Sequence, residues 1–231
     1  MRIIAWNANF NRHRRPFEAM AEILGALDPD LIVISETARP IRVEPGHIAW
    51  VGEKEPGLGI VARNGYSLLP HEANIGAPPL SAAYRVQGPS SLNLLAVWPI
   101  RDRDGPSYDQ LLNSTLDHFA EFLKAERTVL IGDLNTSTRV DAQKKSHPSL
   151  VARLDCLGLS SLYHLRSGER HGEETAPTYR HGGLGKGLFH IDYAFLSQTL
   201  QKAAKIQVLS GLEWEARSDH YPIVVDILDA R

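Results

Sequence analysis

Short apolar runs that stop at a polar side chain are the feature that most constrains this chain. Arg2-Ile-Ile-Ala-Trp ends in Asn7, Leu31-Ile-Val-Ile-Ser in Glu36, and Thr128-Val-Leu-Ile-Gly in Asp133, with Asn135 two residues on. Asp192 sits inside Phe-His-Ile-Asp-Tyr-Ala-Phe, and Ser218-Asp219-His220 directly precedes Tyr-Pro-Ile-Val-Val. Runs this short and this rich in Ile, Val and Leu read as buried strands. Asp and Asn are depleted in strands, and an acid or amide beside a core must be paired or bind a cation to offset its desolvation. A lone Asp at a strand end is an ordinary turn former. Five segments that end this way are hard to attribute to turns. If the strands align, their ends meet on one edge of a sandwich, where crowded carboxylates repel unless a cation sits among them.

The remaining pattern supplies the scaffold. Strands are expected over Ile3–Asn7, Leu31–Glu36, Ile48–Gly52, Gly59–Ala62, Ala82–Val86, Leu92–Trp98, Thr128–Ile131, His190–Leu196, Ile206–Val208 and Pro222–Leu228. A first helix starts at Pro16, places Phe17, Met20, Leu24 and Leu27 on one face, and stops at Asp28-Pro29. A second follows Ser107, with Gln110 completing a capping box and Leu111, Leu112, Thr115, Phe119 and Phe122 as its buried stripe. A third runs from Pro148 to Leu157 and is closed by Gly158. Pro70–Pro79 and His171–Gly187 read as loops, the second long enough to be functional. Without an internal repeat, residues 1–231 are read as one α/β domain of two packed mixed sheets with helices outside.

Composition narrows the chemistry. Cys156 is the only cysteine, so neither an intrachain disulfide nor a thiolate metal cluster is available. Hard oxygen ligands without thiolates favour Mg²⁺ or Mn²⁺ over Zn²⁺. The chain turns polar after Trp6, and no run approaches the roughly 18–20 apolar residues that span a bilayer, so a cytoplasmic, membrane-free protein is expected. A formal net charge of −2 argues against overall attraction to nucleic acid but leaves room for a local basic patch. Arg12, Arg14 and Arg15 lie close behind Asn7, and Arg166, Arg170, His171, Arg180, His181 and Lys186 share a glycine-rich loop. That loop is either a flap that grips phosphates or a solvated turn, and His171 and His181 are candidate additional ligands. Lys144 and Lys145 either touch a nucleic-acid backbone or are merely solvated.

Trp6-Asn7, Ser35-Glu36, Gly132-Asp133-Leu134-Asn135, His190-Ile191-Asp192-Tyr193 and Ser218-Asp219-His220 resemble, in order, the motifs of the endonuclease/exonuclease/phosphatase superfamily. The resemblance spans residues 3 to about 228. It implies a four-layer α/β sandwich and Mg²⁺- or Mn²⁺-dependent phosphoester hydrolysis. It assigns Glu36, with Asn7, Asp219 and Asn9, to the metal, although Asn9 also reads as a local turn residue. Asp133 would orient or deprotonate the attacking water, Asn135 would donate to the phosphate, and His220, oriented by Asp192, would stabilise charge on a phosphate oxygen. Tyr108 resembles a phosphate-touching tyrosine, with core packing as its alternative.

Trp98 stands where sphingomyelinase- and DNase-like members usually carry a histidine, and Ile131 and Leu134 do not match the inositol-phosphatase pattern. The motifs are closer to the exonuclease III and apurinic-endonuclease branch. The expected substrate is therefore a nucleic-acid phosphodiester, DNA ahead of RNA, bound through Arg14, Arg15, Arg180 and Lys186. A small-molecule or lipid phosphoester is the alternative, and an inactive binding module the remote one.

Overall fold

The computed structural model describes residues 1–182 and 187–228, with the side chain of Asp141 left aside. Two six-stranded mixed sheets form its centre. The first runs, in spatial order, Ala204–Val208, Ile223–Ile227, Arg2–Asn7, Leu31–Thr37, Gly57–Ala62 and Ile48–Val51. The second runs Ser67–Pro70, Ser81–Gln87, Leu92–Val97, Thr128–Asp133, Asp192–Ser197 and Leu159–Ser161. Each sheet has one parallel pair at its middle, Arg2–Asn7 with Leu31–Thr37 and Leu92–Val97 with Thr128–Asp133; its other pairings are antiparallel.

Parallel neighbours need a crossover, and helices supply it. Phe17–Gly25 bridges the first pair, with Phe17, Met20 and Leu24 buried. Tyr108–His118 and Ala120–Leu123 bridge the second. The capping box forms as expected, with Ser107 accepting from the Gln110 amide and the Gln110 side chain accepting from the Ser107 amide. In that helix Leu111 is only half-buried and Leu116 takes its place, because Leu112, Thr115, Leu116 and Phe119 follow the three-and-four spacing more closely. The third helix covers Ser146–Cys156, and Gly158 beyond it takes φ +81°.

Between the sheets lies an apolar core drawn from both, including Ile3, Val33, Ile60, Leu94, Val129, Ile131, Leu196 and Val225. Outer helices bury a second cluster around Leu112, Phe119 and Phe195 and a third around Trp6, Phe17 and Trp214. Ser67–Pro70 and Leu159–Ser161 were not anticipated; both are short edge strands with little apolar signal. The segment expected as a loop, His171–Gly187, contributes Tyr179–Arg180 to a small ribbon with Leu188–Phe189. Among the described residues no helix is long and apolar enough to cross a membrane.

Candidate active site

One rule of direction gathers the polar strand ends. The parallel strands finish at the same edge where their antiparallel neighbours begin. Asn7 closes the first strand, Glu36 lies near the end of the second and Asp133 closes Thr128–Asp133. Asp192 opens its strand directly opposite Asp133, and His220 lies just before Ile223, which pairs with Ala5. Asn7, Asn9, Asn11, Glu36, Trp98, Pro99, Ile100, Tyr108, Asp133, Asn135, Tyr179, Asp219 and His220 line one cleft of about 340 Å³. The motif-assigned metal and catalytic residues are on that wall except Asp192, which is buried in contact with His220; His171 and His181, the candidate additional ligands, are not on it.

Hydrogen bonds lock the groups. His220 Nδ1 is 2.9 Å from Asp192 Oδ2, while its Nε2 faces Asp133 Oδ2 at 4.0 Å. The Asn7 amide donates to Asp133 Oδ2 at 2.9 Å, and the Asn135 backbone N–H donates to Asp133 Oδ1 at 2.9 Å. Asn9 does act as a turn residue, its N–H closing on Asn7 Oδ1, and its side chain donates to Asp219 Oδ1 at 2.8 Å. The Ser218 hydroxyl donates to the Asn7 carbonyl and accepts from the His220 N–H, which ties the last motif to the first. Asn9, Glu36 and Asn135 all have φ near +50°, a strained backbone that concentrates at functional sites. Gly132 at φ +145° has no substitute, because a Cβ there would lie 2.0 Å from the Val97 carbonyl oxygen.

Burial and unequal charge set the protonation states. Burial, reinforced by Asp192, pushes the Asp133 carboxyl up to about 7, against the opposing pull of His220 and Asn7. Burial disfavours the His220 imidazolium, yet the Asp192 and Asp133 carboxylates outweigh it and hold the group at about 9. Burial also raises the Glu36 carboxyl; Asp219 adds to this, while Asn11 and His220 oppose it. A carboxyl raised by burial and by a neighbouring carboxylate, beside amide oxygens and without a thiolate, belongs to the donor set a hard divalent cation fits.

Arg15 and Arg180 have a task that the sequence did not suggest. Arg15 donates to the carbonyls of Ala216 and Arg217, and Arg180 donates to those of Glu215 and Ser218 while pairing with the Glu215 carboxylate. These carbonyls end the helix Leu212–Glu215 and lead into Ser218-Asp219-His220, so the two guanidiniums brace the motif from either side. Arg14 is exposed, with its guanidinium over the Phe10 ring, and Lys186 lies outside the described residues. His181 contacts the Tyr179 hydroxyl.

Three site residues were missed. The Tyr179 ring packs 4.6 Å from that of His220, held there by a β-bridge between the two residues. The Thr178 hydroxyl accepts from the N–H groups of Ile191 and Asp192. Asn11 donates to Glu36 Oε1 at 3.0 Å. The period-two amides Asn7, Asn9 and Asn11 were a signal for the last, and the β-prone Thr-Tyr-Arg run for the others.

No family model matches the sequence, and no curated protein matches it. Solved structures do match. A 3′ phosphatase from Neisseria, bound to a product DNA hairpin, is 22% identical with a TM-score of 0.74, over 98% of this chain and 99% of that one. A 3′–5′ exonuclease from Neisseria meningitidis is 21% identical at 0.74, with the same coverage. An AP endonuclease from Archaeoglobus fulgidus is 18% identical at 0.71, again over 98% and 99%. The chain has their fold. That fold is the sandwich of two mixed six-stranded sheets flanked by helices, in line with the α/β sandwich expected from the sequence.

Proposed function

We propose that the chain hydrolyses phosphodiester bonds in nucleic acid, DNA ahead of RNA, with Mg²⁺ or Mn²⁺ held by Glu36, Asp219, Asn7 and Asn9. The observation that carries this reading is the Asp192–His220–Asp133 line at the cleft, with 2.9 Å on one side of the imidazole and 4.0 Å on the other. A phosphodiester is anionic and repels a water nucleophile, so its hydrolysis needs a proton acceptor for the water and positive or donor groups for the phosphate. When bound, the ion supplies positive charge against the phosphate oxygens. Asp133 holds the attacking water and takes its proton; a carboxyl raised to about 7 is a far better acceptor at neutral pH than an ordinary one. His220 carries its proton on the cleft side and donates it as a hydrogen bond to a phosphate oxygen, while Asp192 fixes the ring from behind. Asn135 and Tyr108 line the same cleft and offer further donors. Groups arriving from both sheets flank the phosphorus from two sides, as in-line attack requires.

The solved neighbours named as a 3′ phosphatase, an exonuclease and an AP endonuclease support a DNA substrate. With Arg15 and Arg180 engaged in the scaffold, Arg14 and the exposed Arg12 are left to contact the backbone, which predicts weak, salt-sensitive binding. A panel of single- and double-stranded DNA, abasic DNA, DNA ending in a 3′ phosphate, RNA and small phosphomonoesters tests the reading in Mg²⁺ and in chelator. Oligonucleotides should be turned over fastest, and only with the ion. Faster turnover of a small phosphomonoester, or full activity in chelator, rejects it.

A further inference from the structure

A second cluster of ligand-type side chains lies outside the cleft. His164 and His171 stack with ring centroids 3.5 Å apart and planes 18° apart, and His164 Nε2 is 3.1 Å from Glu174 Oε1. One ligand atom from each of His164, His171 and Glu174 falls within 4.8 Å of the others. His147 joins them, its Nε2 2.9 Å from His171 Nδ1. Glu174 is 7% exposed, and its Oε2 has no hydrogen-bond partner among the described residues. A carboxylate oxygen left bare in a buried site is costly unless a cation takes it.

The surroundings are those of metal-ligating histidines. A ligating imidazole usually hands its other nitrogen to a fixed partner, which sets the tautomer. Here the Ser161 hydroxyl is 2.7 Å from His164 Nδ1, and the Thr136 hydroxyl is 3.1 Å from His147 Nδ1. Donor separations of 2.9 and 3.1 Å approach the edge of about 3.3 Å expected between tetrahedral ligands at about 2.0 Å from zinc. The Gly172 N–H donates to Glu174 Oε1, and at φ +96° a Cβ on Gly172 would meet Thr138 Oγ1 at 2.3 Å, so the turn presenting Glu174 is tightly specified.

We propose that His164, His171 and Glu174, with His147 as fourth donor, bind one transition-metal ion of the Zn²⁺ class, apart from the oxygen-lined cleft. Imidazole-rich donors select such an ion over Mg²⁺. The half-exposed His171 rotates off the stack so that both rings turn a nitrogen to the ion. The site fastens the segment from His171 to Glu174, which continues into Thr178 and Tyr179 at the back of His220.

Metal-stripped protein titrated with Co²⁺ and then Zn²⁺, with excess Mg²⁺ present, tests this. One equivalent of Co²⁺ should bind with the intense visible absorption of a tetrahedral site, and Zn²⁺ should displace it. Asp219→Asn should bind as the unaltered chain does. His171→Ala and Glu174→Gln should each weaken binding at least about tenfold and lose the tetrahedral band. His171 is half-exposed, so His171→Ala carries the test if Glu174→Gln fails to fold. Absence of binding, unchanged binding in the folded His171→Ala variant, or loss of binding only in Asp219→Asn overturns the proposal.

Discussion

In the cleft one imidazole lies between two carboxylates; in the second pocket three imidazoles crowd one. The cleft trio is buried and the second cluster partly so, and their protonation states diverge. His220, beside Asp192 and Asp133, keeps its proton up to about 9. Burial, with the neighbouring imidazoles adding to it, drops His171 to about 3, and burial foremost drops His147 to about 4. Burial alone would push Glu174 up, but His164 and the Gly172 N–H outweigh it and hold the group at about 2. The ratio of acids to imidazoles therefore decides whether a buried site stores a proton or presents bare lone pairs. The first suits proton handling at a phosphate, the second a nitrogen-loving cation.

The largest effect expected from breaking this contrast is catalytic. His220→Ala should lower the rate of DNA cleavage by on the order of 10²–10⁴. Adding Asp192→Ala should cost little more, because the pair acts as a unit. Additive losses in steady-state kinetics would give Asp192 a separate task. His171→Ala, by contrast, touches no group that meets substrate.

A titration followed by imidazole NMR sharpens the same contrast. In metal-free protein His220 should stay protonated through pH 8 and lose its proton near 9, whereas His147 and His171 should remain neutral above about pH 5. Because the folded value of His220 lies above its ordinary 6.5, its stabilisation is complete below pH 6.5 and fades as pH rises through 9. Asp192→Asn should move the midpoint down, because the Asp192 carboxylate is the foremost group that favours the imidazolium. A His220 already neutral at pH 7 would dissolve the contrast.

The smallest effect is on stability. Glu36→Gln should raise Tm in chelator by about 2–4 °C, the shift of roughly 1 kcal/mol in a chain this long. The half-exposed side chain is partly screened, so the gain stays modest. Folding penalises the ionised carboxyl, so the gain should be absent below the ordinary 4.5 and grow as pH rises through the folded value. A destabilised variant at pH 8 would mean that the Asn11 contact outweighs the repulsion.

The strands that carry the cleft were legible because burial on both faces writes itself as unbroken Ile, Val and Leu, as in Leu31–Ile34 and Val129–Ile131. The convergence of Asn7, Glu36, Asp133, Asp192 and His220 was legible from their shared place at the ends of those runs. Arg15 and Arg180 were not, because a basic side chain reads the same whether it meets a phosphate or a backbone carbonyl. Their partners lie 202 and 35 residues away in sequence. His164, His171 and Glu174 offered no periodic signal at all. Their association depends on a turn at Gly172 and on packing against Tyr193.

The central claim is that Asp133, raised by its buried surroundings, accepts the proton of the attacking water. Single-turnover cleavage of end-labelled duplex DNA in saturating Mg²⁺ by Asp133→Asn measures this without interference from binding. The predicted result is a rate lower by on the order of 10²–10⁴ with DNA affinity unchanged. A rate within about threefold of the unaltered chain would contradict it.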